Sequence, residues 1–437
     1  MRLFALPRKT GKSGFRVAFP GRLIVVALAA TLTAQADPKP PAPTGPPPGI
    51  VVAASPEPEK IYLFSPSLEI LDDGELLVSY DSRGTTYIRA SGDKGLSWEP
   101  RGSFKGQKWS TLFSHRKALY AIGVTTPGGA IAIRRSTDRG KSWTEPVDGE
   151  SGLLAEGDYH CGPVPIIVHG GRIWRAFEEF SAERPRRRFS AFVMSASEDA
   201  DLLRSGSWKT TNRLTVDRRW LNTRNEEWLE GNVVVTPDGE LVNVLRFESH
   251  QAEGAGFDLP LANKDIRRFE VAAMMRIDSN KHRLTFDPDT GFLPFIGGES
   301  KFTIRKDPEG GRYWTLANKV TRHDSGSSWE RSPHHQRNVV SLVSSPDLRT
   351  WEEHYRPLSF APRTVVTKAG PKVGFQYLDW HFDGADIIAV CRTSWGGANY
   401  HDSNFITFHR IPNFRTVTMS NSPADLSRPV ATETESP

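Results

Sequence analysis

Glu230 and Arg246 stand at the two ends of Glu230-Gly-Asn-Val-Val-Val-Thr-Pro-Asp-Gly239-Glu-Leu-Val-Asn-Val-Leu-Arg246. Two apolar runs around a Pro-Asp-Gly turn read as a β-hairpin, which sets the opening carboxylate beside the closing guanidinium. The same reading, starts of first strands and ends of second strands, collects more chemistry along the chain. It yields Asp81 and Arg83, Lys108 and Trp109, then His160, Arg175 and Glu178, then Lys301, Asn318 and Lys319, and finally Tyr377, Asp379 and Arg392. Ends of apolar strands do not normally carry so many charges, because burying an unpaired charge is costly. A ligand bearing carboxylate and hydroxyl groups would account for them. No His, Cys or Asp grouping has metal-ligand spacing and no Gly-rich phosphate loop occurs, so neither a metal nor a cofactor is expected.

These residues converge only if distant strands are arranged in a circle, and an internal repeat supplies that circle. Ser91-Gly-Asp93-Lys-Gly95-Leu-Ser97-Trp98 recurs as Ser136-Thr-Asp138-Arg-Gly140-Lys-Ser142-Trp143. The spacing is that of one four-stranded propeller blade. Asp and Ser bond the turn's own backbone, Gly supplies a positive φ, and Trp folds back as an apolar plug. Looser echoes are Ser195-Ala-Ser-Glu-Asp199 with Trp208, and Ser345-Pro-Asp347-Leu-Arg-Thr-Trp351. Short alternating strands separated by turns such as Asp72-Asp-Gly, Pro237-Asp-Gly and Phe382-Asp-Gly repeat six times. The expected fold is all-β, a six-bladed β-propeller of four-stranded antiparallel blades over residues 59–417.

The repeated turn resembles the Asp box of the sialidase (neuraminidase) superfamily, a motif of peripheral turns that implies fold more than activity. The Glu230–Arg246 segment is similar to the one in which a catalytic Glu opens a strand and an Arg of the family's anion-binding triad closes the next. Gly374-Phe-Gln-Tyr377-Leu-Asp-Trp-His-Phe-Asp-Gly384 looks like the segment bearing the nucleophilic Tyr. The resemblance implies that Tyr377 attacks the anomeric carbon, Glu230 takes its proton, and Arg246 grips a substrate carboxylate. A neutral phenol avoids the repulsion a carboxylate nucleophile would meet beside an anionic sugar.

Two departures from the family are coupled. Where its first triad Arg belongs, this chain has Phe64-Ser-Pro66-Ser67, and the acidic residue that orients that Arg is replaced by Arg392. A site that lost one Arg could recruit another from the opposite strand, or bind a different anion. The third triad position stays open among Lys301, Arg305 and Arg312, and Asp81 is the best candidate for the general acid. Expected substrate-binding residues are therefore Arg246, Arg392, Arg175, Arg83, His160, Lys301 and Glu178. The function so implied is release of a terminal acidic sugar, sialic acid or a relative, from a glycan or glycoconjugate. A hydrolase or lyase on another acidic polysaccharide, and a non-catalytic carbohydrate-binding propeller, remain as alternatives.

The first 36 residues read as a secretory signal peptide: six basic residues, an apolar run from Leu23 to Leu32, and cleavage after Ala36. The apolar run is too short to span a bilayer comfortably, so no membrane span is expected in a mature, secreted or periplasmic protein. The whole chain carries a formal net charge of +5, and the leader holds six basic residues and no acidic one, so the rest is near −1. That balance gives no global field for nucleic acid. Residues 37–58 read as a Pro-rich tether and 418–437 as a disordered tail. Cys161 and Cys391 read as buried thiols.

Overall fold

Strands whose two faces are both covered by other sheets should be buried at every position, while the outermost strand of each sheet should not. In the computed structural model, which describes residues 43–181, 188–217, 220, 227–248, 270–321, 335–361 and 372–428, this holds. Leu76–Ser82, Leu241–Glu248 and Val339–Ser345 are buried throughout, whereas Glu99–Lys105 is largely exposed. The fold is an all-β propeller of antiparallel sheets built on four-stranded units. Phe64–Ile70, Leu76–Ser82, Thr85–Ser91 and Glu99–Lys105 form one sheet, and Ile304–Lys306, Tyr313–Asn318, Val339–Ser345 and Glu352–Ser359 another. A five-stranded sheet runs from Glu227–Val235 through Leu241–Glu248 and Val271–Asp278.

Among the described residues the backbone makes five sheets rather than six separate ones, because one has nine strands. Leu153–His160 pairs with Gly129–Ser136 on one side, and its last two residues also pair with Glu178 and Glu179 of Arg172–Ser181. Six apolar clusters fill the gaps between successive groups of strands, for example Leu77, Ile88, Leu112 and Leu119 in one and Val390, Ile406, Leu68 and Val78 in another.

A ring of polar bonds near the axis runs alongside these clusters. The Leu112 N–H donates to Ser67 Oγ (3.0 Å), the Thr111 hydroxyl to the Val164 carbonyl (2.9 Å), and the Gly231 N–H to Glu178 Oε1 (3.4 Å). The Ile304 N–H donates to Asn232 Oδ1 (2.9 Å), Lys301 Nζ to the Leu378 carbonyl (2.7 Å), and the Leu68 N–H to Asp379 Oδ2 (2.9 Å). The last bond returns to the first sheet, so the circle is closed.

The repeated turns take the form their residues dictate. Asp93 Oδ1 accepts from Ser91 Oγ (2.7 Å) and the Ser97 N–H (2.9 Å), and Trp98 Nε1 returns to the Gly95 carbonyl (3.1 Å). Asp138 Oδ1 accepts likewise from Ser136 Oγ (2.8 Å) and the Ser142 N–H (2.9 Å), and Trp143 Nε1 returns to the Gly140 carbonyl (3.2 Å). Gly95 has φ +90°, and a Cβ there would lie 2.3 Å from the Phe408 ring, so glycine is required twice over. In the looser echo, Trp351 Nε1 bonds the Leu348 carbonyl at 3.2 Å.

Two boundary expectations are corrected. Ile50–Ala54, inside the expected tether, is a strand that pairs antiparallel with Phe405–Ile411 and completes the sheet of Val373–Asp383 and Asp386–Trp395. The expected disordered tail is docked as far as residue 428, because Asp425 accepts from the Ser359 hydroxyl and the Ala361 N–H and the Leu426 N–H reaches the Ser359 carbonyl. The signal-peptide expectation lies outside the described residues. No helix among the described residues is long and apolar enough to cross a membrane. Cys161 and Cys391 are free buried thiols, and burial pushes each up to about 12.

Candidate active site

Four first strands carry the same irregularity. Pairing skips between Phe64 and Ser67, Lys108 and Thr111, Leu229 and Asn232, and Gln376 and Asp379. The first extra residue of each bulge is left-handed: Ser65 at φ +50°, Trp109 at +56°, Glu230 at +55° and Tyr377 at +53°. A bulge bends the strand and re-aims a side chain, and a non-glycine residue at positive φ stores strain that the surroundings must hold. The restraints are visible. Lys301 Nζ bonds the Leu378 carbonyl beside Tyr377, and Asp81 Oδ2 accepts the Trp109 N–H at 2.7 Å. Asn232 Nδ2 donates to the Glu230 carbonyl at 3.2 Å. A Cβ on Gly231 would lie 2.3 Å from Asn243 Oδ1, so Glu230 must be followed by glycine.

The bulges bring Glu230 and Tyr377 together. The Tyr377 phenol comes close enough to the Glu230 carboxylate for each to shift the other's ionisation, with Glu230 buried and Tyr377 half-buried. Burial alone would raise Glu230, but the charges of Arg246 and His160 and the bonds from Tyr377 and Arg246 outweigh it. The carboxyl is therefore held below the ordinary glutamate range. Burial, then the Glu230 charge, pushes the Tyr377 phenol above its usual value. At rest the pair is thus a carboxylate and a neutral phenol, the state a nucleophile and its base require.

Three guanidiniums surround this pair. Arg246 NH1 lies 3.1 Å from Glu230 Oε2, its Nε donates to the Glu299 carbonyl at 2.9 Å, and its NH2 pairs with Glu248. The Arg392 guanidinium carbon sits 5.0 Å from the Tyr377 ring centre and that of Arg337 5.9 Å from it. Arg392 is fixed by Ser403 Oγ (3.0 Å) and the His401 carbonyl (2.5 Å), and Arg337 by Gln376. Burial, then the Arg246 charge, lowers Arg337; burial, with repulsion from Arg337, pulls Arg392 to about 10. Arg392 makes no ion pair among the described residues, and mutual repulsion of this kind favours a bound anion.

The other expected residues fall into two groups. His160 reaches the same neighbourhood, its Nδ1 2.9 Å from Glu178 Oε2, with its ring against Trp109. Lys301 is buried under the bulge, bonded to Thr303 and Leu378, and burial takes it down to about 8. Arg175 does not line the mouth: it is fully buried, bonds the Gly162 and Ala176 carbonyls, and lies over Phe177. Arg83 is exposed in the turn after Leu76–Ser82. Asp81 is at the mouth end of its strand, but the Thr86 hydroxyl (2.7 Å) and the Trp109 N–H occupy its two oxygens.

Sequence reasoning missed Arg337. The candidates for that position are spent elsewhere: Arg305 on Asp379 and the Trp380 carbonyl, Arg312 on Glu352. The available signal was an Arg two residues before Val339–Ser345, near a strand start, where charge is unexpected. No cluster of His, Cys, Asp and Glu among the described residues could hold a metal ion.

No family model matches the sequence, and no curated protein matches it either. The fold does have solved counterparts. An α-L-arabinanase of Penicillium chrysogenum, complexed with arabinobiose, superposes with a TM-score of 0.52 at 13% identity, over 84% of this chain and 98% of that one. A Hadza microbial sialidase gives 0.51 at 14% identity, over 82% and 66%. An α-L-arabinofuranosidase of Fusarium graminearum gives 0.50 at 11%, over 84% and 98%. At such identities the likeness is one of fold: this chain has the β-propeller on which sialidases and arabinan-cleaving enzymes are built.

Proposed function

We propose that this protein is a propeller glycoside hydrolase that removes a terminal carboxylated sugar, sialic acid or a close relative, from glycans. The observation that carries the reading is the pairing of Tyr377 with the Glu230 carboxylate among Arg246, Arg337 and Arg392. The guanidiniums hold the substrate carboxylate and thereby orient the anomeric carbon beside the phenol. As the glycosidic C–O bond breaks, Tyr377 Oη bonds the carbon and its proton passes to Glu230. Water then releases the sugar and the proton returns to Tyr377.

Counting the nine-stranded sheet as two blades gives six, a reading supported by the six apolar clusters. The secretory leader read in residues 1–36 belongs to the same proposal and places the substrate outside the cytoplasm.

The test is hydrolysis of a 4-methylumbelliferyl sialoside by wild type and Tyr377→Phe, with mass spectrometry of a fluorosugar adduct. Turnover that Tyr377→Phe abolishes, with the adduct on Tyr377, supports the proposal. Cleavage only of uronic-acid glycosides moves it to another acidic polysaccharide. Glycan binding without turnover makes the protein a lectin.

A further inference from the structure

Expulsion of a sugar alkoxide needs a proton, and neither member of the nucleophile pair can give one, since Glu230 is occupied in receiving the proton of Tyr377. Asp81 is poorly placed for the task. Both its oxygens accept hydrogen bonds of 2.7 Å and it is 5% exposed. Burial raises it to about 6, but those same bonds hold it to the Trp109 bulge and the neighbouring hairpin.

We propose that His160, oriented by Glu178, is the proton donor to the departing sugar oxygen, an assignment that rests on the hydrolase reading above. His160 ends Leu153–His160 and lies opposite Glu178 in register. Glu178 Oε2 holds Nδ1 at 2.9 Å, and its other oxygen accepts the Gly231 N–H at 3.4 Å, which fastens the dyad to the bulge that carries Glu230.

The carboxylate of Glu178 holds Nδ1, which leaves Nε2 as the ring nitrogen available to give up a proton. The ring packs against Trp109 (centroids 4.8 Å) and Phe189 (5.2 Å), so its tilt is fixed by its neighbours. Nε2 carries no hydrogen bond among the described residues and is not closed off from solvent, the side chain being 14% exposed. Glu230 feels the charge of His160, so the donor and the base belong to one electrostatic site.

The balance is complete. In the first step Nε2–H breaks, the leaving oxygen takes that proton together with the electron pair of its bond to carbon, and Tyr377 Oη bonds the carbon while Glu230 takes the phenolic proton. In the second step neutral Nε2 takes a proton from water as the water oxygen bonds the carbon. The Tyr377–carbon bond breaks and the phenolate recovers its proton from Glu230.

Leaving-group dependence tests the assignment, read in kcat/KM on sialyllactose and on a 4-methylumbelliferyl sialoside, whose acidic phenol leaves unaided. His160→Gln is expected to lose about 100-fold or more on sialyllactose and less than about 10-fold on the aryl substrate. Asp81→Asn is expected to change both by the same factor. Equal losses in His160→Gln, or a selective loss in Asp81→Asn, overturn the assignment. Thermal melting checks that each variant is folded. If His160→Gln is not, Glu178→Gln decides, with the same selectivity expected at smaller size and equal losses on both substrates overturning it. Wild type inactive on both substrates brings down the sialoside reading and this assignment together. Wild type active with equal losses brings down this assignment alone.

Discussion

The Arg392 guanidinium lies 4.5 Å over the ring of Phe64. Phe64 opens the segment Phe64-Ser-Pro66-Ser67, which the resemblance marks as lacking an arginine, and Arg392 rises from Asp386–Trp395, the second strand of the last sheet in the chain. The aromatic ring is the floor on which a guanidinium from across the mouth rests, 5.0 Å from the Tyr377 ring centre, as an exchange of one arginine for another would require.

Arg392→Ala should therefore weaken binding of the carboxylated substrate more than it slows bond cleavage. A hydrogen bond to a charged group contributes about 1.5–3 kcal/mol, or roughly 10- to 150-fold in KM, with kcat changed far less. Steady-state kinetics measures this. In an Arg392→Glu background, Phe64→Arg should recover part of the loss, and no recovery would count against the exchange.

The pH profile of the nucleophile pair follows from its charges. Glu230 acts ionised, and its carboxyl is held below the glutamate range chiefly by Arg246 working against burial. Raising pH above about 4.5 should therefore bring no further gain from Glu230. Arg246→Met removes that charge, so the acidic limb of kcat/KM should move to higher pH, while Glu230→Gln should lower kcat by about 10²–10⁴-fold.

Stability should respond to Glu69 in the opposite sense. Burial raises this carboxyl from 4.5 to about 7, even though it accepts the Ser114 N–H at 2.9 Å. A folded pKa above the unfolded one means the contribution is full below about pH 4.5 and is lost as pH rises through 7. Glu69→Gln should match wild type near pH 4 and exceed it at pH 8 by up to about 3 kcal/mol in denaturant unfolding.

Gly162→Ala tests how closely the base is held. A Cβ there would sit 3.0 Å from Glu230 Cγ and 3.1 Å from Oε1, so the carboxylate must give way by some tenths of an ångström. Misplacement of a reacting group costs up to about 100-fold, so kcat should fall 10-fold or more with little change in melting temperature.

The Asp boxes were legible in the sequence because everything that makes them is local: Asp93 and Trp98 bond within their own turn. Glu230, Arg246 and Tyr377 were legible because strand starts and ends carry charge for a reason. The bulges that aim them were not. Glu230-Gly, Tyr377-Leu, Ser65-Pro and Trp109-Ser share no residue pattern, and their positive φ is imposed by bonds from other sheets. The hold on Asp81 was hidden on the same ground, since its partner, the Trp109 N–H, comes from the next sheet. Arg337 escaped notice because it adjoins no hairpin signal and owes its place to Gln376.

The strand Ile50–Ala54 completes the sheet that carries Tyr377 by pairing with Phe405–Ile411. The earliest part of that sheet to be synthesised must therefore wait, unsatisfied, for nearly the last. The sheet that carries Tyr377 stays unfinished until Phe405–Ile411 has been made, however early its first strand appears. Trimming past residue 54 would undo the latch and leave Phe405–Ile411 as a bare rim, open to capture by a neighbouring molecule.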